Sequence, residues 1–476
     1  MLGYFRAVTL FTTLLLSLVF INACNNAASE TDATNPPLVE GPDHIKPVPG
    51  STACKTADNN DCPSWYANMP VSTWKAIGSN TFNDVGVSTQ CSDLDPTTTC
   101  VQGSHNQGII SWSGAIARED YLDIIAQGGG DKGSSDNGVY EFGPFTDEDP
   151  HWVRSYDPSQ LNAADWALYN SQSTSYYPDG LPASRRGYEH QTFIKELIVD
   201  GIDYGNRWFA PWATHTYADP TAGSFREAAS FAFTGQQTTG GHYEDKGAFI
   251  DFPAGINNQT VGSGAGFVIW DDTAKVVWAM APNAPRELYA MDPVTRTWDG
   301  PYSKDLAYSI YTSSALDPVQ RIIAVYEGTH AKLYIIDVTD DRDTQGGKLG
   351  NWVGAKPTGD FTVTSPNNSV SDGDKVSLEY EPVGGTFVGW SKITATEKQN
   401  LYTLKPTTDI RDPKGDLIEG VVWQWEAVDV RGDTPSYREK NGTFGRFQYI
   451  SSIHALAVVN KADEPVYVFK LPADGL

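Results

Sequence analysis

Leu333-Tyr334-Ile335-Ile336 belongs to a series: Val139-Tyr140-Glu141-Phe142, Leu288-Tyr289-Ala290-Met291, Leu401-Tyr402-Thr403-Leu404 and Val466-Tyr467-Val468-Phe469 repeat its leucine or valine, its tyrosine and its apolar continuation. Upstream of each copy lies a pair of β-rich runs broken by a polar turn: Ser111 to Ala126, Phe267 to Met280, Ile310 to Tyr326, Val376 to Trp390 and Phe447 to Val459. Downstream usually comes a tryptophan segment, at Trp152, Trp298, Trp352, and Trp423 with Trp425. Short runs of β-branched and aromatic residues separated by turns read as strands. Each unit is therefore expected to be a four-stranded meander that cannot bury both faces alone. Stacking such units radially solves that problem, and a fixed repeat outranks chain length as a guide to domain number.

The last copy, ending near Leu471, has no tryptophan strand after it, because five residues remain. Ser72-Thr73-Trp74-Lys75-Ala76-Ile77 has the missing character and is expected to pair with Val466 to Leu471, closing the ring with the two ends of the chain. Between Tyr140 and Tyr289 there is room for one irregular unit, starting at Tyr188 to Val199 and finishing with Phe225 to Phe233. The expected fold is an all-β propeller of six blades, with seven as the alternative.

The strand pattern, Gly128-Gly129-Gly130 after a second strand and the fourth-strand tryptophans resemble kelch-type, galactose-oxidase-like propellers. Ser72-Thr73-Trp74, Trp112-Ser113-Gly114-Ala115, Tyr121 to Gly130 and Gly442-Thr443-Phe444-Gly445-Arg446-Phe447 through Val466-Tyr467 look like an uncharacterised group of bacterial kelch-like propeller proteins. That resemblance implies a fold and little about activity, since propellers host many functions.

The chain opens with one positive charge, a mostly apolar stretch from Ala7 to Ile21, and Asn22-Ala23 before Cys24, the order of an export signal. The stretch is below the roughly 20 residues a spanning helix needs. Ile21-Asn22-Ala23-Cys24 resembles the lipobox of bacterial lipoproteins, which implies lipidation at Cys24, a lipid bilayer as partner and, with Asn25 next, the outer membrane. Residues 24–51 are polar and rich in Asn, Thr, Asp and Pro, a flexible linker between the signal (1–23) and one propeller domain (52–476). Cys54, Cys62, Cys91 and Cys100 fall in two close pairs, which in an oxidising compartment suggests disulfides 54–62 and 91–100, although three connectivities exist. The formal charge of −25 repels phosphate backbones, so no nucleic-acid partner is expected, and the body is expected to be monomeric.

In a propeller the connections from strand four to the next strand one, and from strand two to strand three, gather at one channel mouth. That face is expected to receive Ser104-His105-Asn106, Asp131 to Asn137, Ser184 to His190, Asn206 to Glu227, Thr239 to Gly262, and Arg431 to Phe447. The densest cluster is Arg185-Arg186-Gly187-Tyr188-Glu189-His190, to which nearby loops add Trp208, Trp212, His215, Tyr217, Arg226, His242 and Tyr243. Guanidinium groups pair with carboxylate or sulfate, and aromatic faces stack on sugar rings, so an acidic polysaccharide is the expected ligand. Arg185, Arg186, Trp208, Trp212, Tyr217, Arg226 and Arg446 are the candidate binding residues. Tyr188, His190, His215, His242 and Tyr243 are candidates for abstracting a proton α to a uronate carboxylate, which is lyase chemistry. The competing function is a non-catalytic scaffold that docks proteins in the cell envelope.

Several chemistries drop out. A copper-radical oxidase site needs a propeller cysteine cross-linked to tyrosine, and no cysteine follows Cys100. There is no H-E-x-x-H helix, and Gly262-Ser263-Gly264-Ala265-Gly266 is not G-x-S-x-G. Asp341-x-Asp343 begins like a calcium loop, but the twelfth position is Trp352 instead of a bidentate glutamate. No cofactor and no metal is expected.

Overall fold

The computed structural model describes residues 39–40, 62–86, 110, 114–118, 123–127, 136–156, 158–159, 164–165, 167–168, 176–184, 189–195, 197–199, 202–203, 207–210, 230–233, 249–252, 266–280, 287–303, 312–327, 332–339, 349–359, 376–391, 401–437 and 442–476. The chain divides into Met1–Val39 and Glu40–Leu476, and everything below concerns the second unit. It is nearly all-β, an arrangement of antiparallel meanders consistent with a β-propeller. Two single-turn helices, α1 (Ser64–Ala67) and α2 (Phe82–Val85), flank the strand β1 (Thr73–Ile77).

Sheet A runs β2 (Ile116–Arg118), β3 (Asp123–Gln127), β4 (Val139–Gly143) and β5 (His151–Tyr156) in chain order. Sheet B runs β6 (Thr192–Ile194), β9 (Arg207–Ala210), β10 (Ser230–Phe233) and β11 (Phe249–Phe252), with a two-residue hairpin, β7 (Ile198–Val199) and β8 (Ile202–Asp203), interposed after its first strand. Sheet C is β12 (Phe267–Asp271), β13 (Val276–Met280), β14 (Leu288–Asp292) and β15 (Thr297–Ser303). Sheet D is β16 (Thr312–Asp317), β17 (Ile322–Glu327), β18 (Lys332–Asp337) and β19 (Trp352–Gly359). Sheet E is β20 (Ser377–Glu381), β21 (Thr386–Trp390), β22 (Leu401–Pro406) and β23 (Val422–Ala427). Sheet F ends the chain with β25 (Phe447–Ile450), β26 (Ala455–Val458) and β27 (Val466–Lys470), bordered by β1 and by the short β24 (Arg431–Gly432).

The leucine/valine-tyrosine copies are thus third strands and the tryptophan segments fourth strands, as the repeat demands. β1 pairs antiparallel with β27 in the register Thr73↔Lys470 to Ile77↔Val466. Sheet B departs from the expected span, because Ser230–Phe233 is its third strand and Phe249–Phe252 supplies a fourth. Sheets D and E are also joined edge to edge, through a parallel register of Lys356↔Val422 to Gly359↔Trp425. Gly359, at φ +99°, abuts the Trp425 carbonyl where a Cβ would collide with it.

Several hairpins share one turn. The first strand of sheets C, D and E ends in an acid, Asp271, Asp317 or Glu381, whose carboxylate accepts the N–H groups two and three residues on. The fourth turn residue is then left-handed: Lys275 (φ 53°), Arg321 (φ 56°) and Gly385 (φ 63°). Asp292 closes the third-to-fourth-strand turn of sheet C in the same way, ahead of Arg296 at φ 55°. Short acidic side chains that capture their own turn's amides tolerate this geometry well.

Apolar faces are buried between successive sheets. One cluster joins Ile323, Val325 and Ile336 of sheet D to Trp278, Leu288 and Ala290 of sheet C; another joins Ala324 and Ile335 of sheet D to Phe387, Leu404, Trp423 and Trp425 of sheet E. Val388, Trp390 and Leu401 meet Trp74, Leu456 and Phe469, and Ala455, Ala457 and Val468 meet Tyr140, Phe142 and Trp152. Ion pairs cross the seams as well. Arg321 of sheet D reaches Asp271 of sheet C at 2.6 Å, where Trp278 Nε1 also donates at 2.7 Å. Arg411, after sheet E's third strand, reaches Asp337 of sheet D at 2.6 Å. Asp337 is therefore held in an ion pair, and Asp340, Asp341 and Asp343 lie outside the described residues.

Cys62 is disulfide-bonded, and its partner lies outside the described residues, as do Cys24, Cys54, Cys91 and Cys100.

Candidate functional site

The first strand of each sheet is its inner edge, and an edge strand presents unpaired N–H and C=O groups. Here the inner edges lie against one another: β2 beside β6, β6 beside β12, β12 beside β16, β16 beside β20, β20 beside β25, and β25 beside β2. They run in the same direction where contacts fix it. Trp270 N donates to Thr192 Oγ1 and Val268 N to Glu189 O, while Ala117 N donates to Gln448 Oε1 beyond the approach of Gly445 to Ala115.

Side-chain oxygens cover these edges. Ser313 Oγ accepts from Leu378 N at 2.6 Å, Glu189 Oε2 accepts from Ser314 N at 2.9 Å and from Ser314 Oγ at 3.3 Å, and Glu379 accepts from the Tyr449 and Tyr380 amides. A buried amide left without a partner costs about 1–3 kcal/mol, so this belt is structural as well as polar.

The inner strands enclose a cavity of ≈ 600 Å³. Ala117, Val268, Ala315, Leu316 and Leu378 make much of its wall apolar, and Glu189, Gln191, Glu379 and Gln448 supply its central polar groups. Lys195 and Asp272 line it too and lie 3.9 Å apart, as does His454, whose ring nitrogens meet Tyr449 Oη at 3.0 Å and the Pro472 carbonyl at 2.7 Å. Burial is the largest influence on both glutamates. It pushes the Glu189 carboxyl up to about 8 against the pull of the serine hydrogen bonds, with the Glu379 charge adding to the rise, and pushes Glu379 up to about 7. Two carboxyls poised near neutrality in one cavity can exchange protons or receive a cation.

Of the residues singled out in the sequence, His190 is buried beside Glu189, just before β6. Arg185, Arg186, Tyr188, Trp212, His215, Tyr217, Arg226, His242 and Tyr243 lie outside the described residues. Their anchoring points are described. Residues 185–188 run between Ser184 and Glu189, and residues 211–229 run from Ala210 to Ser230, both at the end of sheet B where its first strand begins. Phe233 and Phe249, which pair with each other, stand at the opposite end of the sheet. Trp208 is corrected from a loop to a strand position, opposite Phe193 and Phe233 in β9.

Arg446 is corrected from ligand binding to bracing. It is fully buried, with Nε donating to Val459 O at 3.0 Å, Nη2 to Gly442 O at 2.9 Å and Nη1 to Ile110 O. Sequence reasoning passed over Glu379, Gln191 and Gln448 entirely, and quoted Glu189 only as a neighbour of Tyr188 and His190. The legible signal was a polar residue at an inward position of a first strand, as in Ser377-Leu378-Glu379-Tyr380-Glu381. Among the described residues, no group of three metal-ligating side chains converges.

This arrangement is that of an all-β protein of the propeller type with an axial cavity. No protein-family model and no curated protein matches the chain. Solved structures similar to it include YjhT, at 7% identity and a TM-score of 0.38, covering 76% of this chain and 94% of that one. A fungal alcohol oxidase of the AA5 family, in complex with copper, is similar at 10% identity and a TM-score of 0.33, over 70% of this chain and 56% of that one. A protein of unknown function from Bacteroides thetaiotaomicron is similar at 9% identity and a TM-score of 0.26, over 75% and 95% of the two chains.

Proposed function

We propose that this chain is an exported, lipid-anchored propeller of six blades that binds an acidic saccharide at the cavity mouth where the first strands begin. The six-blade reading takes sheets A to F as blades, with the side-by-side inner strands and the β1–β27 pairing as support. Anchoring through an acylated Cys24, the pairings 54–62 and 91–100, and an outer-membrane address complete the reading. Its ligand part is carried by one observation: the segments holding Arg185, Arg186 and Tyr188 and those holding Trp212, His215, Tyr217 and Arg226 are anchored at the same end of sheet B. Arginines would pair with the saccharide's carboxylates, the indole of Trp212 and the phenols would stack on its rings, and Tyr188 or His215 would abstract the α-proton if the protein cleaves by elimination.

The test uses the full chain against a panel of uronic-acid polysaccharides, with native affinity electrophoresis for binding and ultraviolet absorbance of the unsaturated product for cleavage. Binding lost in R185A/R186A supports the reading. Failure to retard on any acidic polysaccharide overturns it, and binding without absorbance leaves a carbohydrate-binding protein without lyase activity.

A further inference from the structure

We propose that the axial cavity is a second binding site, which takes the protonated primary amine of a small organic ligand between Glu189 and Glu379. This does not rest on the saccharide reading, because it uses groups inside the cavity and none of the arginine-bearing segments.

A volume of ≈ 600 Å³ is in the range of small-molecule sites, and the wall has their composition: apolar surface with a few convergent polar groups. The convergent groups are two carboxyls from sheets that are not neighbours, Glu189 ahead of β6 and Glu379 within β20. They are close enough for the charge of Glu379 to act on Glu189. Gln191 and Gln448 line the same wall, with the Gln448 carboxamide held by the Ala117 amide and the Gly445 and Phe447 carbonyls.

Among the described residues, the other charged and titratable groups lining the cavity are engaged elsewhere. Lys195 lies beside Asp272, and Asp272 also accepts from Lys275 at 2.9 Å. The His454 ring is engaged by Tyr449 and Pro472. Burial, with the Asp317 carboxylate beside it, makes Tyr380 hold its proton more firmly than an ordinary phenol.

Burial favours the protonated forms of both carboxyls, which is why Glu189 and Glu379 sit near 8 and 7. An ammonium group would favour their ionised forms and donate hydrogen bonds to both. The protons they release pass to solvent, so binding is coupled to proton release near neutral pH. The charge of −25 raises the local concentration of cations over anions.

The test is isothermal titration calorimetry of the full chain with 6-amino-1-hexanol, which stays charged throughout the relevant range, and with its neutral isostere 1,6-hexanediol. Measurements at pH 7.5 in two buffers of different ionisation enthalpy report the protons released. The expected result is binding of the amine alone, with net proton release and an affinity that rises at least about tenfold from pH 6 to pH 9 as the carboxyls ionise. E379Q, its fold checked by near-ultraviolet circular dichroism, should weaken binding at least about tenfold and reduce the release; E189Q, whose carboxamide still accepts the Ser314 amide, should do the same. Equal affinity for the diol, an affinity independent of pH in the unmodified chain, wild-type binding by E379Q, or binding of calcium chloride in preference to the amine would each overturn the proposal. So would the absence of any binding.

Discussion

Glu189 and Arg446 are both polar residues removed from water at the start of a first strand, yet their partners give them opposite meanings. Arg446 spends its donors on the main-chain carbonyls of Ile110, Gly442 and Val459 and so ties the last sheet to a segment preceding β2. R446M would leave those carbonyls unsatisfied, and we expect a loss of about 3 kcal/mol or more in urea unfolding, with m unchanged. Glu189 and Glu379 carry raised folded-state pKa values, so each binds its proton more tightly folded than unfolded. Their contribution is complete below the ordinary glutamate range and is lost as pH climbs through about 7 and about 8. Thermal stability should therefore fall between pH 5 and pH 8.5, and E189Q/E379Q should flatten that profile. A double variant with the parental slope would remove these two carboxyls as its cause.

At the scale of the hairpin, Arg296 and Arg321 occupy the same left-handed turn position with different surroundings. Replacing a left-handed residue by glycine relieves backbone strain but adds freedom to the unfolded chain, and the two effects largely offset. R296G should leave stability within about 1 kcal/mol of the parent. R321G removes the cation facing Asp271, a buried carboxylate held low by hydrogen bonds from Arg321 and Trp278 despite its burial, and should cost about 3–5 kcal/mol. Differential scanning calorimetry of the pair at pH 7 checks both, and equal losses would show that the ion pair across this seam is not what distinguishes the positions. The repeated acid-to-left-handed turn was visible in the sequence only as a polar break. Asp271, Asp317 and Glu381 differ in type and in the residues that follow, and what they share is a hydrogen-bond pattern.

For the molecule as a whole, β1, from the N-terminal part of the chain, is the partner of the last strand. A chain beginning at Thr52 keeps β1 and should unfold cooperatively at a temperature close to that of the longer protein. A chain beginning after Cys100 lacks β1 and leaves the Val466–Lys470 edge unpaired and Trp74 missing from between Phe469 and Trp390. It should lose at least about 3 kcal/mol from the tryptophan site alone and aggregate through its open edge, readable by size-exclusion chromatography. An equally stable, monomeric truncated chain would overturn this account of β1.

The meander repeat, its third-strand tyrosines, its fourth-strand tryptophans and the pairing of Ser72–Ile77 with the last strand were all legible in the sequence. They depend on local alternation and on a unit count, and both survive without knowledge of what lies across the sheet. The cavity was not legible, because its walls come from residues between Ala115 and Ala473 that are adjacent only when the inner edges converge. For the same reason Arg446 reads as a ligand residue in the chain and proves to be a brace in the fold, and Glu379 reads as an ordinary strand residue and proves to line the same cavity as Glu189. Composition and periodicity determine which faces are buried. Which buried polar groups meet, and whether they meet a carbonyl or another carboxyl, is decided by the tertiary packing of inner edges drawn from distant parts of the chain.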